Sequence, residues 1–112
     1  MSHTLEVVTF RLLPDREAGF VAANTVVNDW LARQPGYISR QLARKPDGEW
    51  IDVVLWQSNA AAWTAAEKMM KEIGECEAMR AIDPTTMVMR HGAVTLGHHA
   101  QNLVAVSAND AA

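Results

Sequence analysis

One cysteine, Cys76, in a chain of 112 residues leaves no intrachain disulfide to form. The fold must be held by packing and hydrogen bonds, and a reducing compartment, by default the cytoplasm, is the expected location. Long apolar runs are also missing. None approaches the ~18 residues that suggest a membrane span, and the opening MSHTLEVVTF lacks the basic-then-apolar pattern of a secretory leader, so no signal peptide is expected. Positive charge is scarce: 10 Lys and Arg stand against 13 Asp and Glu, a net charge of −3. Binding nucleic acid needs clustered basic residues. Only Arg40, Arg44 and Lys45 lie close together here, and they read as a charged strand edge that discourages edge-to-edge pairing. Neither nucleic acid nor membrane is an expected partner.

What the chain does have is enough apolar content, 49%, with ordinary charge, 21%, to build the one core that a domain of this length can bury. Its few prolines and glycines act as punctuation. Thr4 to Leu12, TLEVVTFRL, is rich in β-branched and aromatic residues and predicts a strand. Pro14-Asp15 follows, with Asp15 as a helix N-cap. Phe20, Ala23, Val27, Trp30 and Leu31 then recur at the three- and four-residue steps of one helix face. Pro35-Gly36 stops that helix. Tyr37 to Lys45 predicts a second, outer strand, Pro46-Asp47-Gly48 a turn, and EWIDVVLWQS a third strand that completes a hairpin. Ser58 is placed to cap a second helix in which Trp63, Ala66, Met70 and Ile73 share the inner face. Gly74 interrupts it, a short piece from Glu75 to Ile82 turns Met79 and Ile82 inward, and Asp83-Pro84 ends that piece. Thr85 to Val94 predicts the last strand.

The order is βαββαβ, a ferredoxin-like α+β arrangement with a four-stranded antiparallel sheet and both crossover helices on one side. The domain is expected over residues 1–94, with 95–112 as a C-terminal arm or tail. Helices cover only one face of such a sheet, yet the third strand is apolar on both: Ile51, Val53 and Leu55 alternate with Trp50, Asp52, Val54 and Trp56. The first strand behaves alike, with Leu5, Val7 and Thr9 against Val8, Phe10 and Leu12. A second copy of the chain is the expected cover, because soluble oligomers are mostly symmetric homodimers. Burying roughly 800 Å² of apolar surface would supply on the order of 20 kcal/mol before association costs.

LEVVTFRLLP, QPGYISRQLARKPDGEW, VVLWQSNAAAW and TMVMRHGAV together resemble the dimeric α+β barrel superfamily, in particular its antibiotic-biosynthesis-monooxygenase-like branch. The resemblance runs from about Thr4 to Val94. Its most telling pieces are Pro35-Gly36-Tyr37 and Trp56-Gln57-Ser58. It implies two sheets facing each other with helices outside, and a small-molecule site of the kind used by cofactor-independent monooxygenases on polycyclic phenols. The haem-degrading members use an Asn on the first strand and a Trp and a His on the second helical segment. Here the matching first-strand position holds Phe10, and SNAAAWTAAEKMMKEIGECEAMRAI contains Trp63 but no His. An iron ligand is therefore missing from that segment, and no cofactor is expected.

The candidate residues each carry a second reading. Asp52, if its strand face lines a cavity with Trp50 and Trp56, suits a general base. The alternative is an ion pair with Arg11, Arg40 or Arg90 on a neighbouring strand. His91, the one histidine inside a predicted element, is either a general base or a satisfied, half-buried strand residue. Trp30, Trp56 and Trp63, with Phe10, wall an aromatic pocket between sheet and helices or simply pack the core. The methionines gathered on the second helix and last strand suit core gaps or an adaptable binding surface. His98-His99 have no Cys or carboxylate at ligand spacing, so no metal site is expected. The function that results is a small-molecule-binding homodimer, in its most concrete form a cofactor-independent monooxygenase acting on an aromatic substrate. The alternative is a non-enzymatic dimeric binding or structural module.

Overall fold

The computed structural model describes residues 2–100. Its elements are β1 (Thr4–Leu12), α1 (Phe20–Ala32), β2 (Tyr37–Arg44), β3 (Trp50–Trp56), α2 (Asn59–Ile73), α3 (Glu77–Arg80) and β4 (Ile82–Ala93). The four strands form one antiparallel sheet in the order β2-β3-β1-β4. This is the ferredoxin-like α+β architecture expected from the element order.

Register decides which side chains meet. Glu6 lies opposite Val54 and His91, Val8 opposite Asp52 and Met89, and Arg40 opposite Val54. Because strand side chains alternate with a period of two, Glu6, Val8 and Phe10 share a face with Arg40, with the even residues of β3, and with Met89 and His91. The helices cover that face. Phe10, Trp50, Val54 and Trp56 of the sheet pack there against Phe20, Val27, Trp30 and Leu31 of α1 and Ala62 and Ala65 of α2. Each fully buried large side chain contributes about 1.5–3 kcal/mol of transfer free energy. Among the described residues no helix covers the other face, where Leu5 and Val88 are exposed and Val7, Ile51, Val53 and Leu55 are half-buried.

The Pro-Gly-Tyr and Trp-Gln-Ser signatures turn out to be two sides of one contact. Gly36 adopts φ 83°, and a Cβ placed on it would come within 2.6 Å of Ala61 Cβ. Its carbonyl accepts a hydrogen bond from the Gln57 backbone N–H at 2.8 Å. Beside it, Tyr37 packs edge-on against Trp56, with ring centroids 5.9 Å apart. Ser58 caps α2 by accepting from the Ala61 N–H at 3.1 Å, as its residue type foretells.

Three local expectations are corrected. Asp15 is not a cap: it sits in a turn at φ 63°, and α1 begins after Gly19 at φ 82°. A capping side chain must sit directly before the helix to reach its first-turn N–H groups, and Asp15 lies five residues ahead of Phe20. The inner face of α2 carries Ala62, Ala65, Met69 and Ile73 rather than Trp63 and Met70, which are exposed. The helix is thus rolled by about one residue, and its smallest side chains let it approach the sheet closely. Finally, β4 starts at Ile82, so Asp83 and Pro84 belong to the strand. Proline is tolerated on an edge strand or bulge, and β4 is an edge whose register against β1 shifts between Thr9 and Arg11. The Thr86 hydroxyl accepts from the Arg11 N–H at 2.8 Å at that shift.

Residues 94–100 carry no helix or strand, and the rest of the expected tail lies outside the described residues. Among the described residues, no helix is long and apolar enough to cross a membrane.

Candidate functional site

A cavity of about 120 Å³ lies between the helix-facing side of the sheet and α1, α2 and α3. Its walls are mostly apolar: Val8, Phe10, Val54 and Trp56 from the sheet, and Phe20, Val27 and Leu31 from α1. Met69, Met70, Met79, Met87 and Met89 also border it, from α2, α3 and β4. Met70, Met87 and Met89 are exposed, so the cavity opens between α2 and the edge strand β4 through flexible thioether side chains, which rearrange easily.

Four polar side chains interrupt the apolar lining: Arg40, Asp52, Asn24 and Glu6. The first two form a clasp. Arg40 Nε donates to Asp52 Oδ1 at 3.0 Å and Nη2 to Oδ2 at 2.8 Å, a fork-to-fork pair. The same guanidinium donates to Asn24 Oδ1 through Nη2 and to Asn28 Oδ1 through Nη1, each at 2.8 Å. Asn24, buried on α1, uses its own Nδ2 to donate to the Phe20 carbonyl at 2.8 Å. Four of the five guanidinium donors are therefore satisfied, and the clasp ties α1 to β2 and β3. This is the ion-pair alternative for Asp52. Arg40, read from the sequence as part of a solvated edge, has only 7% of its side chain exposed. Burial raises the Tyr37 phenol above its ordinary value; nearby Arg40 works against that and Asp52 adds to it.

Glu6 anchors the second polar group. Its Oε2 lies 2.7 Å from His91 Nε2, and its Oε1 accepts from Trp56 Nε1 at 3.3 Å. Both side chains of the Glu6–His91 pair are only 10% exposed. Trp63 stacks over the imidazole, with ring centroids 4.6 Å apart and planes tilted by 33°. A carboxylate holding one ring nitrogen fixes the orientation of an imidazole, the arrangement used wherever histidine handles protons.

The structure thus brings Asp52, Trp56 and Phe10 into one cavity wall. His91 stands behind Glu6. Trp63, 50% exposed, covers His91 from outside instead of lining an inner helix face. Trp30 is buried behind the cavity and donates its indole N–H to Glu72 Oε1 at 2.9 Å, linking α1 to α2. Trp50 packs edge-on against Phe20 at 4.9 Å and serves the core. Sequence reasoning missed Glu6. The signal was present: it is an acidic residue inside TLEVVTF, in the same alternation as Val8 and Phe10. It also missed Asn24, which falls on the buried stripe of α1 at four-residue spacing from Phe20.

No protein-family model matches the chain, and no curated protein matches it by sequence. Solved structures do match. The cofactor-independent oxygenase SnoaB from Streptomyces nogalater superposes with a TM-score of 0.62 at 20% identity, covering 90% of this chain and 99% of its own. The ActVA-Orf6 monooxygenase of Streptomyces coelicolor, solved with nanaomycin D, gives a TM-score of 0.67 at 19% identity over 89% and 94% of the two chains. The chain shares the fold of these structures. A conserved protein from Methanosarcina mazei shares this fold at a TM-score of 0.66 and 12% identity, covering 82% of this chain and 92% of its own. At such identities the fold is what is shared, and a fold hosts many chemistries.

Proposed function

We propose that the cavity between sheet and helices binds a small aromatic molecule, and that the chain is a cofactor-independent monooxygenase acting on it. The observation that carries this reading is the cavity itself, apolar on most sides, with the Glu6 carboxylate at one wall and His91 bonded behind it. The descriptions of SnoaB as a cofactor-independent oxygenase and of ActVA-Orf6 as a ligand-bound monooxygenase support it. In a phenol-to-quinone conversion the substrate supplies all the electrons: one phenol and one O2 give one quinone and one water. The protein's part is to exclude bulk water, hold the ring and accept a proton. His91, reached from the cavity through the Glu6 carboxylate, is the proposed proton acceptor, and Phe10 and Trp56 are the proposed ring contacts. Trp30 supports the site from behind, and Trp63 shields His91. Asp52 can act on substrate only by sharing its oxygens with Arg40. No cofactor or metal enters the scheme.

Dioxygen uptake with a panel of mono- and polycyclic phenols, in protein stripped of metal and flavin, tests the reading. Uptake that is stoichiometric with quinone and falls at least about tenfold in His91→Ala is the expected result. Uptake unchanged in His91→Ala removes His91 from the chemistry.

A second reading, a non-enzymatic dimeric binding or structural module, is favoured by the fork-to-fork Arg40–Asp52 clasp, which resembles a structural tie more than a reactive group. Both readings share the homodimer, for which the uncovered apolar face around Leu5, Val53 and Val88 argues. A cytoplasmic location fits both.

A further inference from the structure

Glu6 is a buried carboxylate with unused accepting capacity, facing a mostly apolar cavity. A carboxylate offers about four acceptor positions. Two are taken, one by Trp56 Nε1 at 3.3 Å, a long bond, and one by His91 Nε2 at 2.7 Å. Glu6 also borders the cavity, with Val8, Val54 and Trp56 as neighbours in the wall. The other carboxylate there, Asp52, also has each oxygen bound once, but both bonds come from the Arg40 guanidinium, which pairs its charge. Arg40 is committed to Asp52, Asn24 and Asn28. The cavity therefore offers an incoming molecule an acceptor at Glu6 and no comparable uncommitted cation.

We propose that Glu6 is the specificity-determining residue of this cavity. It selects ligands whose apolar ring carries a hydrogen-bond donor, a hydroxyl or an amine, and it rejects ring carboxylates. The inference rests on the cavity being a ligand site, as proposed above, and adds which polar group the ligand must bear. The physical reason is asymmetric. A ring hydroxyl donates a charge-assisted bond to Glu6 in a dry setting. A methyl group in the same place leaves the carboxylate short of a partner. A second carboxylate brings like charge beside Glu6 in a low-dielectric pocket. The size is consistent with a single ring at the closed site: an apolar cavity of about 150 Å³ accepts benzene, and the methionine mouth provides room for larger bodies.

The test uses three probes of nearly the same shape, phenol, toluene and benzoate, titrated into the full-length protein by calorimetry and ligand-observed NMR. Phenol is expected to bind at least about tenfold more tightly than toluene, although toluene is the more hydrophobic, and benzoate not to bind. In Glu6→Gln the preference for phenol over toluene is expected to fall by about tenfold, and benzoate to be admitted. Toluene binding as well as phenol in the unaltered protein overturns the role of Glu6 while leaving the cavity as a ligand site. So does a preference that persists unchanged in a folded Glu6→Gln. If none of the three binds, both this inference and the small-molecule reading fail. Should Glu6→Gln not fold, as judged by its thermal melt, the three-probe comparison on the unaltered protein decides alone.

Discussion

Removing the Asp52 carboxylate should destabilise the protein far more than loss of a surface ion pair. Arg40 and Asp52 have side chains only 7% and 17% exposed, and two parallel bonds join them. In Asp52→Ala the guanidinium stays buried, keeping Asn24 and Asn28 but losing its counter-charge. Stranding one member of a buried pair costs about 3–5 kcal/mol. An exposed pair is worth about 0–1 kcal/mol. Against a total stability of about 5–15 kcal/mol for such a domain, the first figure is a large fraction and the second barely measurable. Arg40→Ala should cost a similar amount, because it strands Asp52 and unpairs two asparagine carbonyls. The double substitution should cost clearly less than the sum of the singles, since no unpaired charge then remains. The assay is urea unfolding at neutral pH and fixed protein concentration, so that any association contributes equally. A loss below about 1 kcal/mol in Asp52→Ala, or strict additivity in the double, would refute the clasp as the tie between α1 and the β2–β3 hairpin.

Gly36→Ala should destabilise by about 2–4 kcal/mol, combining left-handed backbone strain with overpacking; the strain follows from φ 83° and the crowding from Ala61 Cβ at 2.6 Å. Adding Ala61→Gly should restore part of the lost melting temperature, because it relieves the crowding and leaves the φ strain. Tyr37 is the only tyrosine, so the phenolate absorbance titration reports it alone, and its midpoint should lie above the ordinary 10.0. A raised folded value means the associated stability is fully present below the unfolded value and is lost as pH rises through the folded one. Alkaline unfolding should therefore soften in Tyr37→Phe. Val53→Asp, on the uncovered sheet face, should leave the fold intact but convert a dimer to monomer in sedimentation velocity. A monomer in the unaltered protein would remove the argument for a second copy.

Much of the fold was legible in the chain because local chemistry and global arrangement agree. The apolar stripe Phe20, Val27, Trp30, Leu31 packs as its spacing dictates, Ser58 caps α2, and Pro35-Gly36 stops α1. Boundaries slipped where tertiary contacts overrule propensity. Asp15 has the composition of a cap but the backbone of a turn, and Pro84 enters an edge strand that can spare its N–H. On α2 the periodicity was visible, but the choice between stripes one residue apart was not. Favouring bulky Trp63 and Met70 for the inside put the wrong side inward, because close approach to the sheet selects Ala62 and Ala65.

The candidate site divides along the same line. Residue types and strand alternation fix that Asp52, Trp56 and Phe10 can share a wall, and they raise the question of a charge in an apolar strand. Which arginine answers Asp52 depends on strand order and register, long-range quantities that no local pattern encodes. Register likewise brings Glu6 to His91 across 85 positions of sequence, and the rolled α2 leaves Trp63 stacked on that imidazole. By itself the sequence determined one βαββαβ domain with a sheet apolar on both faces, because period and turn chemistry are local properties. Only the tertiary structure decided which carboxylate is spent on an arginine and which one meets a histidine, because pairing across strands is a property of the assembled sheet.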